Sequence, residues 1–480
     1  MAKTPKPPGK NGPSTPISLI DALEQLAPSH SDSHWRSEIA NAALVPTAKL
    51  GGEKRARKLL EWLKPMPYWY VRGLFSVGRG LALAGESAAK SVIAEGEASF
   101  ATAGIEGQFG TLARIEAARA YHALDAQPEC DRALDDALSY ATREQNYPTQ
   151  PRPWLAVALA RTGRIERALA DLRERLPNQR LSFDDELALK LVLEQVVRRG
   201  DAATFAKIDA EQTAANGYSV AEALADSALA AVEQGHGDAL VAMCVEFAKD
   251  KPYGPRTMSR IAWTLADAGE LELARRVVDR TRDACRDDAQ GHDHFLRSID
   301  KPFEDADSIS DGSSFGLPFR VGYRVAPDRA LELAAAREAK LLAAVASNDR
   351  TAMENLGHLG VALCAIGRAD KGDALLAKSI EAAQSLDGTS KSYVLKSVAL
   401  AACEFDLGEH AHSALKKISS KPMKADVCRA LNLVYVRQRD FAGASMIIMI
   451  GEPRPGWLMM RHCDALSVAA GTERVFSNYA

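Results

Sequence analysis

The chain has 480 residues, 46% of them hydrophobic and 26% charged, so it can bury a sizeable core and is neither disordered throughout, collagenous nor a disulfide miniprotein. Its 60 basic residues against 63 acidic ones leave a formal charge of -3, too little to draw nucleic acid or an anionic membrane over a surface of this size. Seven cysteines without CxxC pairs fit reduced thiols in a cytoplasmic chain, and no run approaches the roughly 18 apolar residues of a membrane-spanning helix.

Residues 1–16 hold five prolines together with Lys3, Lys6 and Lys10, lack a following signal-peptide core, and read as an extended basic tail. From there on alanine is abundant and aromatics make up only 6%, the composition of closely packed helices and not of strands. The first local feature is Lys54, Arg55, Arg57, Lys58 and Lys64 beside Trp62, Tyr68, Trp69 and Tyr70. Basic and aromatic side chains of this kind line single-strand nucleic-acid grooves. Further on, an apolar helix, a short turn and an amphipathic helix recur, as in 154–176, 261–280, 359–380, 398–418 and 430–450. In the first of these Ile165, Ala168, Leu169, Leu172 and Leu176 form one stripe of a 3.6-residue helix, while Arg167, Asp171, Arg173, Glu174 and Arg175 face the other way.

Turns are expected near Gly51, Gly85, Ala126, Gly163, Gly200, Gly237, Gly269, Gly367, Gly408, Arg439 and Gly471, at intervals of 31 to 41 residues with one gap of 98 after Gly269. A single helix cannot bury such a stripe, so each pair must stack on the next. Within the gap, residues 301–326 show no helical stripe and are expected to form an irregular insertion, partly docked through Phe303, Phe315, Phe319 and Tyr323. Residues 446–460 are apolar all round and rich in methionine, which fits a buried repeat under the last helix. The expected division is a tail (1–16), N-terminal helical repeats (17–300), the insertion (301–326) and C-terminal repeats (327–480).

These units resemble tetratricopeptide repeats. With the turn residue at repeat position 15, Leu155, Ala156, Leu159, Gly163 and Ala168 fill positions 7, 8, 11, 15 and 20, as do Ile261, Ala262, Leu265, Gly269 and Ala274. Leu359, Gly360 and Leu363 precede Gly367 at the same spacing, and Leu431, Tyr435 and Ala444 match although Arg439 replaces the glycine. Gly372 and Ser413 depart from the pattern at position 20, and the position-4 tryptophan is missing. The resemblance implies an all-α, right-handed α-solenoid of about eleven helix-turn-helix repeats, with HEAT-like pairs as the structural alternative. It also implies that positions 2, 5, 9 and 12 face a groove. These positions nominate Lys190 and Glu194, then Arg256, Ser259 and Trp263, then Asp426, Arg429 and Leu433 as partner-binding residues. Lys190, Arg256 and Arg260 stand where the family clamps a peptide's terminal carboxylate, but Glu194 and Ala228 replace its two asparagines, which points to an internal acidic or mixed peptide.

No catalytic or metal motif has the required spacing. His292 and His294, near Cys285, Asp287, Asp288 and Asp293, lie two residues apart and so point to different helix faces, and His410 and His412 beside Glu409 do likewise. Asp305, Asp307, Asp311 and Gly312 superficially match a calcium loop, but Ile309 and Ser310 stand where it needs an oxygen ligand and a glycine. Ser87 with Lys90 and Ser413 with Lys416 have serine–lysine spacing without the partner motifs, and no phosphate-binding glycine loop occurs. The expected function is a cytoplasmic protein–protein interaction scaffold that binds a peptide or helix, with no catalytic residue, metal, cofactor or membrane partner. The alternatives are a helical-repeat enzyme or ligand-binding toroid with carboxylates from separate repeats, and a single-stranded nucleic-acid binder acting through the basic N-terminal patch.

Overall fold

Stretches rich in alanine and leucine between turn residues fold, in the computed structural model, into helices alone. The structure describes residues 15–26, 33–143, 152–175, 183–211, 217–249, 254–284, 298–300, 316–450 and 456–472, and among them there are twenty-three α-helices, two single-turn 3-10 helices and no strand. The chain divides into two compact units. One combines Met1–Pro151 with Ala383–Ala480, and the other is Arg152–Ala382.

The first unit begins with α1 (Ile17–Leu26), α2 (Ser33–Leu60, broken at Gly52 and containing Pro46), α3 (Pro67–Leu83), α4 (Ala89–Thr102), α5 (Gly107–Ala123) and α6 (Gln127–Arg143). The second unit holds α7 (Arg152–Arg161), α8 (Ile165–Arg175), α9 (Phe183–Arg198), α10 (Ala202–Glu211), α11 (Gly217–Glu233) and α12 (Gly237–Ala248). It continues with α13 (Gly254–Asp267), α14 (Leu271–Ala284), α15 (Gly316–Val325), α16 (Pro327–Ala346), α17 (Arg350–Ala365) and α18 (Ala369–Ala382). The first unit is completed by α19 (Gly388–Glu404), α20 (Gly408–Leu415), α21 (Lys421–Arg437), α22 (Phe441–Ile450) and α23 (Gly456–Ala470).

Within each unit the packing is that of a helical repeat. An odd-numbered helix packs on the even-numbered one that follows it, as in α5 with α6, α13 with α14 and α17 with α18. It packs also on the next odd-numbered one, as in α3 with α5, α9 with α11 and α21 with α23. The chain is therefore an all-helical repeat protein. Ion pairs repeat at the same spacing. Arg173 of α8 meets Glu211 of α10 at 2.7 Å, Arg276 of α14 meets Asp238 of α12 at 2.6 Å, and Lys371 of α18 meets Glu338 of α16 at 2.8 Å.

The turns are one device used many times. After an odd helix a residue takes a left-handed conformation and the next backbone N–H donates to the carbonyl five residues before it, closing the helix in a Schellman motif. Glu86 donates to Leu81 at 2.9 Å, Arg164 to Leu159 at 2.7 Å and Arg368 to Leu363 at 2.9 Å in this way. The expected turns at Gly85, Gly163, Gly200, Gly269, Gly367, Arg439 and Gly471 carry this left-handed residue. Three others shift. The left-handed residues are Asp125 and not Ala126, Gly235 and not Gly237, and Asp406 and not Gly408. Gly237 and Gly408 instead open the following helices. Near Gly51 it is Gly52, at φ 75° and ψ 178°, that breaks the helix. An unanticipated turn at Asn348, at φ 62°, lies inside the 98-residue gap.

Part of the expected irregular insertion is helical. Residues 316–325 of the presumed insertion are α15, a helix whose Phe319 and Val321 are fully buried and whose Arg320 grips Asp267 of α13 with two bonds of 2.9 and 2.6 Å. Tyr323 packs against the same core as Phe319, while residues 301–315 lie outside the described residues. The two ends of the chain pack together in one unit, with α1 on α22 and α2 on α23. Leu19, Ile20, Ala22 and Leu23 of α1 are buried there. Ser18 Oγ donates to the Phe441 carbonyl at 3.2 Å, Cys463 Sγ approaches the Ile39 carbonyl at 3.8 Å, and Lys49 Nζ reaches the Gly471 carbonyl at 3.3 Å.

Candidate functional site

The residues nominated from repeat position fall on odd-numbered helices. In the second unit Lys190 of α9 lies 2.9 Å from both Glu222 and Asp226 of α11, and Asp226 in turn takes Arg260 of α13 at 2.9 Å. Three successive odd helices are thus linked across one face by alternating charges. Burial alone would lower the Lys190 pKa, but the hydrogen bonds to Asp226 and Glu222 carry the ammonium above its ordinary value. Burial pushes the Glu194 carboxyl up, against the pull of Arg198, whose guanidinium is 3.6 Å away, and of Lys190.

On α13, Arg256 and Arg260 are exposed, Trp263 is half-buried, and Ser259 is buried. The Trp263 indole nitrogen and the Ser259 hydroxyl are shielded from solvent without a hydrogen-bond partner among the described residues. Lys190 and Arg260 are therefore brought together through Asp226, with their charge already met by carboxylates of the same face. In the first unit Asp426 of α21 pairs with Lys396 of α19 at 2.6 Å, while Arg429 and Leu433 are half-buried on the same helix.

The basic N-terminal patch is neutralised in place. Arg55 pairs with Asp21 and Glu24, Arg57 with Glu53 and Glu95, Lys58 with Glu24, and Lys64 with Glu61. Glu95, held below its ordinary value first by the Arg57 hydrogen bond, also accepts from Tyr70 Oη at 3.2 Å. Lys54 is exposed. A polyanion approaching these cations would meet their carboxylates as well.

Next to the patch stands a cluster that positional reasoning on the later units did not reach. Tyr68, Arg72, Ser76 and Arg79 lie on one face of α3 at successive helical turns. The Tyr68 ring is 4.5 Å from that of Phe109 on α5 and 5.0 Å from that of Trp69, and the Arg72 guanidinium sits 5.5 Å from the Trp69 ring. Deeper in, Arg79 approaches Glu116 of α5 at 3.4 Å, and Glu116 also takes Arg119 at 3.0 Å. Counting back from Gly85 with the positional rule used for the other units would have placed Arg72 and Arg79 at positions 2 and 9. The buried Arg114 of α5 bridges Glu97 and Asp136 at 2.7 Å each and lies over the Phe100 ring, tying α4, α5 and α6 together.

Among the histidine and acidic groups weighed as metal ligands, Cys285, His292 and His294 and the loop at 305–312 lie outside the described residues. His412 instead shares a hydrogen bond of 2.9 Å with Tyr435 Oη. No helix among the described residues is long and apolar enough to cross a membrane.

The chain matches no family model and no curated protein. Among solved structures, one described as a circular tandem repeat protein with novel repeat topology and enhanced subunit contact surfaces aligns with 96% of this chain and 93% of its own. The identity is 13% and the TM-score is 0.16.

Proposed function

We propose that the chain is a non-catalytic, tetratricopeptide-like interaction scaffold of the cytoplasm that holds a peptide or helix of a protein partner against the face of its odd-numbered helices. The observation that carries this reading is the surface of α9, α11 and α13. There Lys190, Glu222, Asp226 and Arg260 alternate in charge across three stacked helices, and exposed Arg256 and half-buried Trp263 stand beside them. A surface of mixed charge with a tryptophan and arginines suits a peptide of mixed charge, because interface energy concentrates in Trp and Arg anchors. A terminal carboxylate is less well served, since two of the three cations that would clamp it, Lys190 and Arg260, already hold Glu222 and Asp226.

The test is to identify a partner by capture from the source cell and mass spectrometry, then to measure its affinity for Trp263→Ala and for Arg256→Glu with Arg260→Glu. Loss of such an anchor typically costs about 2 kcal/mol, roughly thirtyfold in Kd. Variants that fold as the wild type and bind within about twofold would show the face to be in the wrong place.

A further inference from the structure

Arg72 differs from the arginines packed around it on α2, α3 and α5. Arg55, Arg57, Arg79, Arg114 and Arg119 each hold a carboxylate within 3.4 Å. Arg72, half-buried on α3, has none among the described residues. Its Nη1 donates to Tyr68 Oη at 3.3 Å, its guanidinium faces the Trp69 ring, and its Nε is shielded without a partner. Glu38 and Glu116 act on it only through space. Burial works against its charge, but the Tyr68 oxygen and the fields of Glu38 and Glu116 outweigh it, so the guanidinium stays charged with no carboxylate bonded to it.

Beside it Phe109 is 46% exposed, one of four large hydrophobic side chains so exposed among the described residues, with one side against Tyr68. A guanidinium without a bonded carboxylate, joined through Tyr68 to an open aromatic ring, is half of a recognition pair. The missing half is a carboxylate followed by a flat or bulky apolar group.

We infer that Arg72, Tyr68 and Phe109 form a second peptide-binding site, which takes a partner segment bearing an aspartate or glutamate next to an aromatic or large aliphatic residue. The carboxylate meets the Arg72 guanidinium, and the apolar side chain covers Phe109. The proposal rests on the scaffold reading given above but uses another surface, and it favours a peptide over a nucleic acid on charge. Arg72 has no bonded carboxylate, whereas Lys64, Arg57, Arg79 and Arg119 are already held by Glu61, Glu53, Glu95 and Glu116. A chain of phosphates would have to pass those carboxylates, while a single carboxylate has only to reach Arg72.

The experiment pans a phage-displayed library of random twelve-residue peptides against the full chain. The best synthetic peptide and a ten-nucleotide oligouridine are then titrated into wild type, Arg72→Met, Phe109→Ala and Trp263→Ala. The expected result is an acidic-apolar consensus whose affinity falls at least tenfold in Arg72→Met and at least fivefold in Phe109→Ala, but stays within twofold in Trp263→Ala. The free Arg72→Met protein should unfold at nearly the same urea concentration as wild type, because the substitution keeps the stem and breaks no ion pair. Peptides weakened only by Trp263→Ala would overturn this site and leave the scaffold reading standing. Failure to enrich an acidic peptide, Arg72-dependent binding of the oligouridine alone, or a marked loss of stability in Arg72→Met would overturn it as well.

Discussion

Gly372 gives the sharpest test of how the helix pairs are held together. It is the fourth residue of α18, and α18 crosses α17 there so closely that a Cβ on Gly372 would lie 2.6 Å from the Gly360 carbonyl oxygen, 2.8 Å from the Cys364 nitrogen and hard against Cys364 Sγ. The relation is mutual, since a Cβ on Gly360 would lie 2.8 Å from the Gly372 carbonyl oxygen. Two effects oppose each other in Gly372→Ala. The helix itself gains about 0.5–1 kcal/mol because alanine loses less backbone entropy than glycine. Against this, an ordinary contact begins at 3.4 Å, so α18 must move off by 3.4 minus 2.6, or 0.8 Å, and the atoms in the way are backbone that cannot rotate aside.

Overpacking of this kind costs about 1–3 kcal/mol, and the shift also loosens Leu375 and Leu376, which are buried against the same crossing. The net expectation is a loss of about 1–2 kcal/mol. Gly388→Ala is the control, because no atom lies within 4 Å of its would-be Cβ and the change should be neutral or stabilising by up to about 1 kcal/mol. Urea titration followed by circular dichroism reads the size, and hydrogen exchange locates it, since a repeat array can open one region at a time. If Gly372→Ala matched or exceeded the wild type, or Gly388→Ala lost as much, the close crossing would not be what the glycine serves.

Other consequences can be checked in the same preparations. Leu19→Ala with Leu23→Ala should destabilise the first unit by several kcal/mol, at about 2–5 kcal/mol for each buried leucine, and strip exchange protection from α22 while leaving α9 to α13 unchanged. Burial, aided by Lys416, holds the His412 imidazole below its ordinary 6.5, so the unfolded chain binds a proton that the native one refuses. The stability this contributes is complete above about pH 6.5 and falls as the pH drops toward the native value, and His412→Gln should flatten the slope of urea midpoints between about pH 7 and 5. Burial raises the thiols of Cys403, to about 12, and Cys428, to about 11, so iodoacetamide at mild pH should modify both only after unfolding, as counted by mass spectrometry.

The helices and most of their turns were legible because they are local. A left-handed residue after an apolar stripe is written in five or six neighbouring positions, and glycine marks it plainly at Gly163, Gly269 and Gly367. The signal blurred where aspartate or asparagine served instead, since their short side chains also tolerate the left-handed region. Hence Asp125 and Asp406 were displaced by one or two residues and Asn348 went unseen. α15 was missed for a related reason: Gly316, Pro318 and Gly322 within ten residues lower its intrinsic helicity, and only the burial of Phe319 and Val321 makes it fold. The meeting of the two ends left no local trace at all, because it joins residues more than 400 apart. In the candidate sites the family pattern located Lys190, Arg260 and Trp263 but could not show that Asp226 already spans the first two. Arg72 was within reach of the same rule and stands out only once its missing carboxylate is seen.

The packing of α1 on α22 has a consequence in time. Ser18 bonds to Phe441 across 423 residues of chain, and although α2 covers part of α1, the packing of α1 is completed only when that stretch exists. At about 5–20 residues per second of synthesis the first helix emerges roughly 20–85 s before its partner. For that interval its apolar face must be shielded by transient neighbours or by a chaperone, so the amino-terminal segment is made first and folds last.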